Sequence, residues 1–231
     1  MSTGSGVSAE TDSAAGMNAL PCLHADTALL VLDKPAGLLS VPGRGADKQD
    51  CASARAQARW PDALIVHRLD MATSGLLLMA RGAEMQRRLS MAFEARQVHK
   101  RYVALVAGEL SPPAGEWGEI ELPLMTDWPN RPRQMVDARG KPSRTRWRLL
   151  AHEHDAQGRP QTRLELEPVT GRTHQLRVHL QALGHPILGD ALYADADTGA
   201  RSARLLLHAS ELALAHPHSG ETMRWRSPAP F

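Results

Sequence analysis

Cysteine, aromatic residues and lysine are all scarce in this chain of 231 residues. Its two cysteines, Cys22 and Cys51, are too few for a disulfide framework or a four-sulfur zinc site. No apolar run approaches the roughly 18 residues that a membrane span needs. The first 33 residues hold no Lys or Arg, which excludes a secretory signal with a basic start. These absences predict a globular, cytoplasmic protein without a membrane anchor.

Basic charge is concentrated in one segment, although the whole chain has a net charge of only +2. Residues 131–148 hold six Arg and one Lys against a single Asp. A basic stripe on a nearly neutral protein is typical of nucleic-acid binding, and the alternative interpretation is a solvated loop. The Pro-rich run WPNRPR predicts a loop here, and Arg131, Arg133 and Arg139 are its candidate phosphate contacts.

The apolar pattern predicts many strands and few helices. Buried or half-exposed strands are expected in TALLVLDKP, GLLLMAR, KRYVALVAG, EIELPL, RTRWRLLAHEH, TRLELEP, RLLLHASELAL and ETMRWRSP. Helices are expected over 50–59, over 83–97 and from Thr173 to a glycine stop at Gly184. Residues 1–20 predict a disordered tail. Residues 21–231 therefore predict one α+β domain, a mixed and mostly antiparallel sheet flanked by helices around a central cleft.

Metal and nucleotide sites are not indicated, although the chain has eleven His. His174 and His179 lie roughly 140° apart around a helix, so they cannot share a metal ion. The segment GRGADK lacks the glycine pattern of a dinucleotide or nucleoside triphosphate loop. We therefore expect no metal and no cofactor.

Two polar segments are the candidates for chemistry. HRLDMATSG contains Arg68 and Asp70, which indicates either a structural turn or a carboxylate nucleophile beside a fixed cation. In EPVTGRTHQLRVH, Arg172 lies where a helix is expected to start, and the helix dipole disfavours a cation there. An anion, either phosphate or a carboxylate such as Asp70, would make that position favourable. The alternative is an Arg directed into solvent.

Taken together, these segments resemble the RluA family of pseudouridine synthases. HRLDMATSG, KRYVALV, PVTGRTHQLRVHLQALGHPILGD and RLLLHASEL are similar to four separate blocks of that family. The similarity extends from about residue 23 to the C-terminus, and the LDKPAGLLSVPGR and DWPNRPRQ segments point to the members that act on both tRNA and 23S rRNA. Some relatives carry an N-terminal S4-type RNA-binding domain, which we expect to be absent here.

The resemblance implies a role for individual residues. Asp70 is implied to be the nucleophile, Arg172 its ion-pair partner, and Tyr102 the residue that stacks on the target uracil and assists in deprotonating C5. Arg68 is implied to fill the space of the extruded base, and Leu176 to pack against the uracil. For Tyr102 the alternative is a core aromatic, although with two Tyr and two Phe in the chain such residues are scarce.

The implied reaction converts uridine to pseudouridine, an isomerisation that needs no cofactor or metal. The expected substrates are a tRNA anticodon stem-loop and a 23S rRNA hairpin, bound by a monomer. One alternative function is a catalytically silent RNA-binding or ribosome-assembly protein of the same fold. Another is a nucleoside hydrolase, for which a second catalytic carboxylate is missing from HRLDMATSG.

Overall fold

The computed structural model describes residues 20–112 and 117–231. The tail predicted over residues 1–20 lies outside these ranges except for Leu20, which packs against buried residues of the sheet. Within the described ranges the chain forms a ten-stranded sheet, a separate two-stranded hairpin and four α-helices. None of these helices is both long and apolar enough to span a bilayer.

The elements are numbered along the chain. The strands are β1 (Cys22–Ala25), β2 (Leu29–Lys34), β3 (Ala63–Ile65), β4 (Ser74–Arg81), β5 (His99–Ala107), β6 (Gly118–Glu121), β7 (Leu124–Thr126), β8 (Gln134–Val136), β9 (Arg144–His154), β10 (Pro160–Pro168), β11 (Leu207–Ala215) and β12 (Thr222–Arg226). The helices are α1 (Ala52–Arg59), α2 (Gly82–Glu94), α3 (Gln175–Ala182) and α4 (Ala196–Ala200).

The predicted fold class is confirmed. The long sheet has the order β1-β2-β4-β11-β5-β10-β9-β6, with β3 added to β4 and β12 added to β11. Its neighbours are antiparallel except for β4 and β11, which run parallel. The short elements β1, β3, β7, β8 and α4 were not predicted, and α3 begins at Gln175 instead of Thr173.

The parallel contact between β4 and β11 joins the two halves of the sheet. Gly75 lies there with φ 109°, and a Cβ at this position would be 2.3 Å from the carbonyl oxygen of Ala209. Only glycine permits both the backbone angle and the close approach. Beside it, the hydroxyl of Ser74 makes a buried 2.8 Å hydrogen bond with Nδ1 of His208.

In the half of the sheet formed by β5, β10, β9 and β6, the two faces differ in chemistry. One face packs against α3 through an apolar cluster that includes Trp147, Leu164 and Leu166. The alternating residues of β9 point to the other face, where Arg144 and Arg146 pair with Glu119. The apolar face, with α3, therefore carries the candidate site, and the charged face lies behind it.

Candidate active site

Asp70 lies in the loop between β3 and β4, which is fixed on both sides of the carboxylate. On one side, the Ser40 hydroxyl donates to the carbonyl of Leu69 at 2.7 Å and accepts from its N–H at 3.1 Å. On the other side, the carbonyl of Met71 accepts from the N–H of Gly37 at 2.8 Å. The Asp70 side chain keeps 29% exposure, so it is held firmly and is still accessible to a substrate.

Lys34 anchors this loop from inside the sheet. Its side chain is fully buried, and Nζ donates to the carbonyls of Pro35, Leu38 and Met71 at 2.9, 2.8 and 3.2 Å. Burial lowers the pKa of Lys34 to about 8, although the nearby charge of Asp70 acts in the opposite direction. Sequence reasoning missed this lysine, whose signal is a cation that ends a buried apolar strand.

The cation beside Asp70 is Arg177. Its Nη1 lies 3.4 Å from Oδ2 of Asp70, while Nε and Nη2 donate to the two carboxylate oxygens of Asp190 at 2.8 and 2.7 Å. The Arg177 side chain is 5% exposed and that of Asp190 is 0% exposed. Arg177 is therefore held in one orientation by a buried bidentate pair, and its remaining N–H group is directed at the candidate nucleophile.

The predicted pairing of Arg172 with Asp70 is wrong in this structure. Because α3 begins at Gln175, residue 172 precedes the helix and its side chain is exposed. Arg172 Nε donates to the carbonyl of Pro142 at 3.3 Å, and its N–H donates to Oε1 of Gln175 at 3.0 Å. Arg177, by contrast, lies in the first turn and faces inward. Its signal in the sequence is a charged residue directly between the apolar Leu176 and Val178, which requires a buried partner if that part of the helix is buried.

Tyr102 and Leu176 belong to the same apolar region of the structure. Tyr102 packs against the apolar cluster that contains Leu176 and also against a second cluster that contains Leu69, the neighbour of Asp70. Burial, with a further contribution from the charge of Asp70, raises the pKa of the Tyr102 phenol well above its usual value. The phenol is therefore neutral near pH 7, and its ring forms an apolar surface next to the carboxylate.

The candidate RNA-contacting arginines are distributed differently from the expectation. Arg68 is exposed on the Asp70 loop. In the hairpin formed by residues 124–136, the exposed Arg131 stacks on Trp128 with 4.5 Å between the guanidinium carbon and the ring centroid, and Arg133 lies 5.6 Å from the ring of Tyr193. Arg139, beyond the hairpin, forms a bidentate pair with Asp137 at 2.9 and 2.8 Å.

The positive excess of residues 131–148 is partly neutralised by other parts of the chain. Arg144, Arg146 and Arg148 follow one face of β9 and pair with glutamates that belong to β6 and β10. Among the described residues, Arg131 and Arg133 make no ion pair. The basic stripe of the sequence is therefore reduced, in three dimensions, mainly to the hairpin.

This arrangement can support nucleophilic catalysis by a single carboxylate. Arg177 contacts Oδ2 of Asp70, and the other oxygen, Oδ1, is not bonded to any described residue. A nucleophilic carboxylate needs this combination of a fixed orientation and one free oxygen.

Comparison with known proteins gives consistent matches. The family model described as RNA pseudouridylate synthase matches residues 28–182. The dual-specificity RNA pseudouridine synthase RluA of Escherichia coli K12 is 46% identical over 92% of this chain and 94% of its own, and that of Vibrio parahaemolyticus is 49% identical over 84% and 77%. Among solved structures, human RNA pseudouridylate synthase domain containing 1 superposes with a TM-score of 0.77 at 29% identity, covering 94% of this chain and 86% of that one.

Proposed function

This chain belongs to the RNA pseudouridylate synthase family, and on that premise we propose the residues that perform its reaction and the RNAs that it modifies. It is an RNA pseudouridine synthase, an isomerase that detaches uracil at N1 from ribose C1′ and rejoins it through C5. The reaction is an isomerisation, so it needs no second substrate. Because the bond between N1 and C1′ is broken and the base is rejoined, the protein must supply a nucleophile, a binding place for the detached uracil and an RNA contact surface.

We propose that Asp70 is the nucleophile. Arg177 holds Oδ2, so that Oδ1 faces the substrate and attacks ribose C1′ or uracil C6, or removes the C2′ proton. All three routes require the same ionised and oriented carboxylate. This contact between Arg177 and Asp70, on a loop fixed at Leu69 and Met71, is the observation that carries the proposal.

We propose that Tyr102 and Leu176 bind the uracil during its rotation. The target nucleotide has to leave its stack to reach Asp70, and its planar base would pack against the apolar cluster to which Leu176 belongs and against which Tyr102 packs. The neutral phenol of Tyr102 favours the stacking role, because a phenol with a raised pKa carries almost no phenolate that could act as the base at C5.

We propose that the hairpin and the exposed arginines near the site bind the RNA backbone. Arg131 and Arg133 contact phosphates, Arg68 occupies the space that the extruded base leaves, and Arg172 contributes a phosphate contact instead of pairing with Asp70. Arg139 is the weakest of the candidates, because Asp137 already satisfies its guanidinium.

We propose two RNA substrates, a tRNA anticodon stem-loop and a 23S rRNA hairpin. The relatives named dual-specificity RNA pseudouridine synthases support a choice of two RNAs, and the identity of these RNAs follows from the sequence resemblance. We propose a cytoplasmic monomer. Because the hairpin lies beside the site, we also expect an isolated stem-loop to be modified without the remainder of the tRNA or an intact ribosome.

The test is tritium release from RNA labelled at uracil C5, without added metal. We expect the wild-type protein to release tritium without releasing free uracil, because the base is rejoined through C5. Asp70→Asn preserves the shape and removes the charge, so turnover is expected to vanish while RNA binding persists. Asp47→Asn makes the same chemical change at an exposed position and is expected to be fully active.

Three results would contradict the proposal. Turnover by Asp70→Asn above a few per cent of wild type would remove Asp70 from the mechanism. Free uracil would indicate a hydrolase. If the wild-type protein bound both stem-loops without releasing tritium from them, the catalytically silent RNA-binding alternative, or a different RNA substrate, would be favoured.

A further inference from the structure

A row of polar contacts connects the hairpin to the carboxylate of Asp70. The backbone N–H of Gln134, in β8, donates to the Tyr193 hydroxyl at 2.8 Å. The same hydroxyl lies 2.6 Å from Nδ1 of His174, and Nε2 of His174 lies 3.8 Å from Oδ2 of Asp70. Two side chains, Tyr193 and His174, thus span the distance between the proposed RNA contact surface and the proposed nucleophile.

The direction of donation along this row follows from the hydrogens available. The N–H of Gln134 can only donate, so the Tyr193 oxygen accepts from it, and the single hydroxyl hydrogen is directed to Nδ1 of His174. Burial lowers the pKa of His174, so the imidazole is neutral near pH 7 and carries its one proton on the other nitrogen. Nε2–H of His174 consequently points toward Oδ2 of Asp70.

Charged groups around His174 act on its pKa in both directions. Asp70 and Asp190 raise the pKa and the cation of Arg177 lowers it, but burial has the largest effect and keeps the ring neutral. Arg177 also lies over the Tyr193 ring, with 5.0 Å between the guanidinium carbon and the ring centroid. We call the row of contacts from Gln134 through Tyr193 and His174 to Asp70 the relay. The relay and the Arg177–Asp190 pair therefore approach Asp70 from two sides.

His174 is held in an unusual backbone conformation. Its φ of 53° lies in the left-handed region at the residue that precedes α3, a conformation that residues other than glycine adopt uncommonly. The side chain is 10% exposed, and its hydrogen bond to Tyr193 helps to hold this conformation. The conformation is what brings Nε2 to the Asp70 side of the helix terminus.

We propose that Tyr193 and His174 are positioning residues that couple RNA contact at the hairpin to the alignment of Asp70. The inference rests on the proposed function, in which the hairpin binds RNA and Asp70 is the nucleophile. The last link, at 3.8 Å, is longer than a hydrogen bond, so a small shift of the His174 ring toward Asp70 would close it. When RNA engages Arg133, whose guanidinium lies over the Tyr193 ring, the hairpin presses Tyr193 and His174 toward Asp70 and closes that link. Oδ2 then accepts from both His174 and Arg177.

Two variants test the relay without disturbing the fold. Tyr193→Phe keeps the ring and its contacts with both arginines but removes the hydroxyl. His174→Asn keeps a residue that tolerates a positive φ and removes the reach to Asp70. For each variant we expect a roughly tenfold lower single-turnover rate constant, equivalent to one hydrogen bond, with a stem-loop Kd within about twofold of wild type. A purely structural role would lower the melting temperature and leave the rate per folded molecule unchanged.

Coupling to the hairpin is tested by a double-variant cycle. If the relay transmits RNA contact, Tyr193→Phe is expected to have little further effect on the rate constant in an Arg133→Ala background. The relay would be overturned if the effects of Tyr193→Phe and Arg133→Ala on the rate constant were additive, or if each of these two single variants had a wild-type rate constant. Asp70→Asn is measured in parallel: if it stays active, the proposed function itself has failed, whereas an inactive Asp70→Asn beside unaffected relay variants rejects the relay alone.

Discussion

Replacing Arg177 with methionine removes the cation that connects two carboxylates of unequal burial. Asp190 is completely enclosed and would keep its charge without a partner, which costs about 3–5 kcal/mol of folding free energy. Asp70 retains contact with solvent, so its loss of the cation contributes little to that cost. We therefore expect Arg177→Met to lower the free energy of unfolding by several kcal/mol and to abolish turnover.

Two companion variants separate catalysis from folding. The double variant Arg177→Met/Asp190→Asn no longer has the unpaired charge at residue 190, and the new amide oxygen can still accept from the N–H groups of Leu192 and Tyr193. We therefore expect most of the lost stability to return, while turnover stays absent. Arg172→Met is the matched control: the exposed Arg172 donates only to a backbone carbonyl through its side chain, and its removal is expected to cost less than about 0.5 kcal/mol.

The measurements are urea unfolding and single-turnover tritium release per folded molecule. If the double variant regains turnover together with stability, Arg177 is only structural and the assignment of the Asp70 partner is refuted. If Arg172→Met is inactive while Arg177→Met keeps a substantial rate, Arg172 is the functional partner of Asp70, as the sequence predicts.

Three further perturbations have defined outcomes. Replacing Arg131 and Arg133 with alanine is expected to reduce the slope of log binding constant against log salt concentration by about 0.7–0.9 for each lost phosphate contact. Arg139→Ala is expected to change this slope little, because the Arg139 guanidinium is paired with Asp137. Equal slopes for the Arg131/Arg133 variant and the wild type in a binding titration would contradict this prediction. Burial lowers the pKa of His67 to about 3, so below pH 6.5 the unfolded chain binds a proton at His67 that the folded chain does not bind. The contribution of His67 to the free energy of unfolding is therefore expected to fall by about 1.4 kcal/mol per pH unit below 6.5. In urea unfolding between pH 6.5 and 5, His67→Gln is expected to lose stability less steeply than the wild type. Gly75→Ala places a methyl group against the Ala209 carbonyl and is expected to destabilise the fold by more than about 2 kcal/mol, so a wild-type melting temperature would show that the β4–β11 contact relaxes.

The main elements of the fold could be predicted because they carry regular patterns. Strand β9 matches RTRWRLLAHEH to the residue, since its polar and apolar residues alternate except at Leu149–Ala151, where the pairing with β10 shifts register. Strand β8 was missed because its three residues, Gln134–Val136, are too few to show a period, and the pairing with β7 is what defines them. Strand order was equally inaccessible, because hydropathy does not reveal which strands are neighbours.

The candidate site could be predicted only in part. Asp70 and Tyr102 lie in local motifs, and the structure places them near each other, whereas the cation beside Asp70 is Arg177 instead of the expected Arg172, five residues away. The choice depends on where α3 begins and which way its first turn faces, which a motif does not specify. The charge balance of residues 131–148 was misleading for a similar reason, since the compensating glutamates come from strands distant in sequence.

The pairing of the β9 arginines with glutamates affects how quickly the enzyme can find its target. Nonspecific RNA adheres through phosphate contacts, and each contact lengthens the time spent on the wrong molecule. With Arg144, Arg146 and Arg148 paired on the back of the sheet, these three cations contribute less to holding an RNA that lies outside the site. Under the proposed function, an RNA that does not fit therefore leaves sooner than one whose uridine reaches Asp70 and gains additional contacts.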